Sequence, residues 1–428
     1  MHKVEYPHLS EVLYQETLAC GLNVFLLPKA GFQQVFAIFT TRYGSIDSVF
    51  KTKSEKQYTT VPEGIAHFLE HKMFEAEDGD VFSQFARFGA SANAFTSFDQ
   101  TSYLFSGTEN VHENIRTLLD FVQQPYFTDE NVEKEKGIIG QEIRMYEDNP
   151  ETRVFYGLLQ AMYGQHPVRL DIAGSVESIA EIDKEILYRC YETFYHPSNM
   201  VFLVVGGFDP DIVMNLIRTN QADKSFDPAP DIERFYAEEP VPVVSAQSTV
   251  HLNVKEPRCL IGWKDARIGL TGKALIQQEV LTGVLLDTLF GRSSDLYHEL
   301  IDDKLIDQQF SWEYELTPGY GYSVVGGNSS DPEQLVARVR QAVDKVLAEG
   351  LNEQEFERSR KKAIGRFMSS LDFPGYVGRS LTSYILKDAD LFDTLNILES
   401  LQLDDATGRL AEHFRVEQQS VSIVLPKA

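Results

Sequence analysis

The alternation of apolar and polar positions divides the chain into short strand-like runs and longer helical ones. Two apolar runs, Leu22–Leu27 and Val35–Tyr43, are separated by Pro28 and Gly31 and read as strands. A helix follows over 62–74, with Pro62 early in it. The alternating stretch 91–107 reads as strand, and 111–124 and 129–147 read as helices, the second stopping before Pro150. Helical segments at 151–163 and 176–194 lead into a strand at Met200–Phe208. Residues 224–244 are rich in proline and acidic side chains and read as a linker. The expected division is therefore 1–223, 224–244 and 245–428.

Beyond the linker the pattern repeats. Val111, Ile115, Leu118, Leu119 and Val122 recur as Leu335, Val339, Ala342, Val343 and Val346, a constant shift of 224. The same shift carries Phe127-Thr-Asp-Glu onto Leu351-Asn-Glu-Gln and Glu142 onto Arg366. A duplicated, diverged module is expected, with the chemistry kept in the first copy.

Chemistry is concentrated in His67-Phe-Leu-Glu70-His71. On a helix Glu70 falls at about 300° and His71 at about 40° from His67, so both imidazoles and the carboxylate share one face. The rest of the circumference is Ile65, Ala66, Phe68, Leu69, Met73 and Phe74, the mark of a buried helix. Ionisable groups there are costly unless paired or bound to metal, and two histidines flanking a glutamate at this spacing point to zinc. A catalytic zinc takes a third protein ligand and keeps one position open. In the helix 129–147, Glu135 and Glu142 lie about 20° apart at the centre of the apolar face, among Ile138, Ile139 and Tyr146. Angle alone leaves both as candidates.

Composition narrows the remaining choices. Hydrophobic residues at 43% and charged residues at 24% describe an ordinary globular chain. Lys and Arg total 39 against 64 Asp and Glu, a net charge of −25, which disfavours nucleic acid and anionic membranes and suits neutral or basic partners. Three dispersed cysteines, Cys20, Cys190 and Cys259, suit a reducing compartment. No run approaches the roughly 20 apolar residues of a membrane span, and the N-terminal sequence has no apolar signal core. A cytoplasmic enzyme or binding protein is expected.

His-Phe-Leu-Glu-His followed by Glu135-Lys-Gly-Ile-Ile-Gly-Gln-Glu142 resembles the M16 (pitrilysin/insulinase, or inverzincin) metallopeptidase family. The resemblance implies one Zn²⁺ per chain on His67, His71 and Glu142, with Glu135 as the outer helper and Glu70 as general base. The 70 residues between His71 and Glu142 are a few fewer than the family pattern, which a trimmed loop explains. His166-Pro167, Gly174 and Tyr195-His-Pro-Ser-Asn199 match family positions that look structural, so neither His166 nor His196 is expected as a ligand. Ser91–Thr96 resembles the family's substrate-binding edge strand, with Asn93 and Ala94 as the substrate-binding residues.

The wording Tyr-Glu-Asp-Asn-Pro after Glu142 is similar to short bacterial members that work in pairs. In self-sufficient members the second copy supplies an arginine and, seven residues later, a tyrosine that hold substrate and stabilise the oxyanion. This chain has Ile301 and Gln308 there, with Tyr314, Tyr320 and Tyr322 nearby. The resemblance thus implies an α+β fold of two homologous domains, each a mostly antiparallel sheet with helices on one face. It implies an endopeptidase that cleaves unfolded peptides in an enclosed chamber, with a homologous subunit supplying the missing pair and a homodimer less expected. The rival reading is a non-catalytic scaffold subunit of the same family that binds a partner or a peptide.

Overall fold

The computed structural model describes residues 1–77 and 79–427. In chain order the first copy comprises β1 (His2–Tyr6), β2 (Glu11–Thr17), β3 (Asn23–Pro28), β4 (Val35–Thr41), β5 (Val49–Thr52), β6 (Thr59–Thr60) and α1 (Ile65–Lys72). It continues through β7 (Glu75–Ala76), β8 (Gly79–Asp80), α2 (Val81–Arg87), β9 (Ala90–Thr96), β10 (Thr101–Gly107), α3 (Val111–Val122) and α4 (Asp129–Glu147). Then come α5 (Pro150–Met162), α6 (Val176–Ala180), α7 (Lys184–Phe194), β11 (Met200–Gly206), α8 (Pro210–Ala222) and β12 (Ile232–Arg234). The second copy comprises β13 (Gln247–Leu252), β14 (Arg258–Lys264), α9 (Gly272–Phe290), α10 (Asp295–Asp302), β15 (Ser311–Leu316), β16 (Gly321–Asn328) and α11 (Pro332–Glu349). It ends with α12 (Glu353–Ser370), α13 (Pro374–Leu386), α14 (Asp393–Ser400), α15 (Leu403–His413) and β17 (Gln419–Pro426).

The first sheet runs β1-β2-β3-β11-β4-β10-β9 and is antiparallel except where β11 lies parallel to β3. The second runs β13-β17-β14-β16-β15 and repeats the same path, with β17 parallel to β13 alone. The shift of 224 is therefore a structural duplication. It extends to α5 and α13, both of 13 residues and both opened by a proline, at Pro150 and Pro374. A proline costs nothing at a helix start, because its missing N–H would be unpaired there anyway.

The compact units are discontinuous in sequence, where the sequence reading draws one cut through 224–244. The first unit holds 1–143, 171–236 and 371–386; the second holds 144–170, 237–370 and 387–428. Each sheet thus takes a helix from the other copy. α13 lies on β4 and β11, while α5 lies on β13, β14 and β17. Helical periodicity shows that these helices are amphipathic but not which sheet buries them. The expectation of helices on one face describes α3; α13 covers the opposite face. Every residue of β4 and β11 is buried. Phe39 pairs with Tyr103, which packs on Phe121 of α3, whereas Phe36, of opposite parity, meets Gly378 of α13.

The segment 224–244 is held at both ends. β12 pairs with β5, and Arg234 and Tyr236 bond Asp47 at 2.9 and 2.6 Å. Glu239 takes Lys264 at 2.7 Å and the backbone N–H groups of Gly164, Gln165 and His166. The expected 176–194 helix is two, because Asp183 caps a new start by accepting from the Ile186 N–H. Among the described residues no helix is long and apolar enough to cross a membrane.

A buried polar chain runs through the second unit. Arg409 donates to Asp265, to Thr282 Oγ1 at 2.9 Å and to His413 Nδ1 at 3.1 Å, while His413 Nε2 meets Ser323 Oγ at 2.6 Å. Burial lowers the His413 pKa, against the pull of Asp265. The unfolded chain therefore takes up this proton first, so the contribution is complete above about pH 6.5 and declines below it. Urea midpoints are expected to hold from pH 8 to about 6.5 and then to fall. His413→Gln should flatten that decline while lowering stability at pH 7.5 by about 1–3 kcal/mol. An unchanged slope in the variant would assign the pH dependence elsewhere.

Candidate metal and catalytic site

Gly64 starts α1 from the left-handed region at φ 87°, and a Cβ there would lie 2.4 Å from the Ala173 carbonyl oxygen. Only glycine lets the chain turn so closely. The helix then buries Ile65, Ala66, Phe68 and Leu69, which orients His67, Glu70 and His71. α4 buries Val132, Ile139 and Ile143 together with Glu135, which directs Glu142 toward α1.

The structure brings His67, His71 and Glu142 together, with a potential ligand atom from each within 4.8 Å of the others. His67 Nε2 lies 3.9 Å and His71 Nε2 3.6 Å from the Glu142 carboxylate. Both gaps exceed a hydrogen bond, yet they approach the spacing of about 3.4 Å between tetrahedral neighbours around zinc with bonds of about 2.1 Å. Buried His67 Nδ1 has no hydrogen-bond partner among the described residues. Packing alone therefore holds that ring from behind, as suits a side chain whose partner lies at Nε2. The donor set of two imidazoles and one carboxylate fits zinc.

Glu135 lies against the other nitrogen of His71. Its Oε1 lies 3.1 Å from His71 Nδ1, which assigns the proton to Nδ1 and leaves the Nε2 lone pair facing Glu142. Glu142 lies nearest the Nε2 atoms of both histidines, and Glu135 nearest Nδ1 of His71. Burial, with the neighbouring His71, holds the His67 pKa down to about 4, so its imidazole is neutral at ordinary pH. Burial acts the same way on His71, but the Glu135 hydrogen bond and the charges of Glu70, Glu135 and Glu142 outweigh it and raise its pKa. Burial also raises Glu70, offset in part by a 2.6 Å hydrogen bond from Thr96 Oγ1.

β9 is the edge of its sheet, paired among the described residues only with β10. Thr96 faces α1, and Asn93 is exposed on the opposite face. The Asn93 Oδ1 accepts from the Ala94 N–H at 2.9 Å, so the side chain caps a backbone donor on the free edge. Such caps keep an exposed edge from pairing at random.

Sequence reasoning missed two residues here. Thr96 orients Glu70, but a threonine in a strand carries no signal of that. Lys72, fully buried, bonds Glu75 and the Asn131 carbonyl and lies 4.0 Å from Glu135. A lysine inside the apolar helix was the available clue. His166 and His196 lie outside the cluster: His166 caps the Val168 N–H, and His196 bonds Ser198 and the Asp227 carbonyl. In the second unit Ile301 packs against the core and the Gln308 carbonyl accepts from Arg292. Tyr314 donates to Asp265 at 2.6 Å, and Tyr320 and Tyr322 are buried.

The family model described as insulinase, peptidase family M16, matches residues 57–176, which contain the whole cluster, and that of the M16 inactive domain matches 181–363. The chain belongs to peptidase family M16. A zinc protease of Bacillus subtilis (strain 168), YmfH, described as uncharacterized, is 45% identical over 425 residues, 99% of each chain. The crystal structure of a candidate M16-like peptidase from Alicyclobacillus acidocaldarius superposes with a TM-score of 0.95 at 46% identity, covering 99% of this chain and 100% of that one. Pitrilysin shares the fold at 15% identity and a TM-score of 0.73, where 97% of this chain overlies 45% of that one.

Metal content read by plasma mass spectrometry tests the donor set. The purified chain is expected to hold about one zinc, lost in His67→Ala and in Glu142→Ala and kept in Glu70→Gln. Glu135→Gln should weaken zinc binding by roughly 10- to 100-fold without abolishing it. Loss with Glu135 and retention with Glu142 would exchange their roles.

Proposed function

We propose that the chain is a zinc-dependent endopeptidase that cleaves extended, unfolded peptides, acting as the catalytic subunit of a heterodimer that encloses its substrate. The observation that carries this reading is the meeting of His67, His71 and Glu142, with Glu70 beside them and the free edge of β9 next to Glu70.

His67, His71 and Glu142 would hold the metal, and Glu135 keeps His71 in the tautomer that binds. Zinc bound there supplies a Lewis acid and lowers the pKa of a water. Glu70 takes the proton of the attacking water and returns it to the leaving amine. Burial raises its proton affinity toward that task, and the Thr96 hydroxyl fixes which oxygen faces the reaction. The peptide adds to β9 as an extra strand, taking over the Ala94 N–H and freeing the Asn93 amide to bond the peptide from the face opposite Glu70. A metal-storage module would need the ligands but no buried base.

The second copy supports a partner. Ile301 and Gln308 offer no cation or phenol, and Tyr314, Tyr320 and Tyr322 are committed to the core of their own unit. Loss of one oxyanion donor costs about 3–4 kcal/mol of transition-state stabilisation. Pitrilysin, a chain about twice as long on the overlay, has room for a second such pair of domains in one polypeptide. A homologous subunit would serve the same end here.

A mixed pool of unfolded peptides, read by mass spectrometry, tests the proposal. The zinc-loaded chain alone is expected to cleave weakly or not at all, and to cleave readily with a homologous subunit carrying an arginine and tyrosine pair. Glu70→Gln should abolish that cleavage with zinc retained. Thr96→Val should reduce it by about tenfold or more, also with zinc retained. Full activity of the chain alone would remove the partner, and cleavage that survives Glu70→Gln would remove the mechanism.

A further inference from the structure

α13 is an unusual neighbour for β9, because it comes from the second copy and yet is fastened to the first unit. Lys29 Nζ holds the Leu371 carbonyl at 3.0 Å at one end, and Arg42 bonds the Ile385 carbonyl at 3.4 Å at the other. Between them Gly378 lies so close to β4 that a Cβ would come within 2.4 Å of the Phe36 ring. The next residue, Arg379, is thereby placed over two rings. Its guanidinium carbon lies 5.7 Å from the centroid of Phe36 and 5.9 Å from that of Phe95 in β9.

Arg379 is exposed and has no ion pair among the described residues. The aromatic faces hold the cation without neutralising it. The strand beside it offers no carboxylate either, since the side chains of β9 sharing the face of Phe95 are Ser91 and Asn93. The duplication sharpens the point. The residue 224 earlier, at the same place in α5, is Phe155, half-buried with its ring 6.3 Å from that of Tyr322. One copy fills the position with an apolar ring, and the other presents an unpaired positive charge next to an open strand edge.

We propose that Arg379 selects an acidic side chain, Asp or Glu, in the extended peptide that lies along β9, an inference that rests on the strand-docking reading above. Side chains of a strand alternate between faces. Thr96 and Glu70 mark one face, where the peptide bond is cut. Phe95 and Arg379 mark the other, so Arg379 meets alternate residues of the peptide and never the group being cleaved. The net charge of −25 does not oppose this, because charges beyond about 10 Å are largely screened at physiological salt.

Binding of fluorescein-labelled peptides to the full-length Glu70→Gln chain, which cannot turn them over, is the test. Peptides would differ only by Glu, Gln or Lys at successive positions. Glu is expected to bind roughly three- to tenfold more tightly than Gln at positions of one parity only, with the preference shrinking as salt rises. Arg379→Gln should remove the preference, Arg379→Lys should keep part of it, and Arg379→Glu should turn it toward Lys, all with zinc content unchanged. A charge-blind chain, or a preference that survives Arg379→Gln, overturns the assignment and leaves docking on β9 standing. Failure of every peptide to bind, acidic or not, overturns the docking reading and this inference with it.

Discussion

The hydrogen bond between Glu135 and His71 Nδ1 is the contact on which the site depends. A histidine can present either nitrogen, and the proton on one is set by the hydrogen bond that nitrogen makes. By taking the proton on Nδ1, Glu135 aims Nε2 at Glu142. Glu135 is in turn a carboxylate on a buried helix face, which is costly without compensation. Lys72 lies behind it, and burial is outweighed by His71, so Glu135 stays charged. Removing this pair would leave His71 near Glu142 with nothing to fix which ring nitrogen faces it.

The duplicated module explains how such a site tolerates its surroundings. The second copy keeps the sheet order and the helix pair and replaces the chemistry. Arg366 stands where Glu142 would be, and with Lys362 it pairs with Asp287 of α9. That cluster satisfies buried charge by ion pairing, whereas the first copy gathers acceptors that repel one another unless a cation joins them. The same backbone thus supports two electrostatic solutions, one closed on itself and one that asks for a ligand.

Much of this was legible in the sequence where the information is local. α4 runs over 129–147 as the periodicity indicated, because its apolar face and its breaker at Pro150 lie within one segment. His67, Glu70 and His71 were legible because a helix fixes their mutual angles. The pairing of α1 with α4 was legible only through the unusual carboxylates on an apolar face. What was hidden depends on contacts between distant segments: the exchange of α5 and α13, the close approach of Gly64 to Ala173, and the hydroxyl of Thr96 on Glu70. Strand β1 also went unread, since its side chains are exposed or half-buried and give little apolar contrast.

The central claim is the identity of the metal's protein neighbours, and X-ray absorption at the zinc edge addresses it most directly. The zinc-loaded chain should show two imidazole nitrogens and oxygen donors at about 2.0–2.2 Å, and the same shell in Glu70→Gln. Sulfur scattering at about 2.3 Å, or a shell without imidazole, would contradict the account.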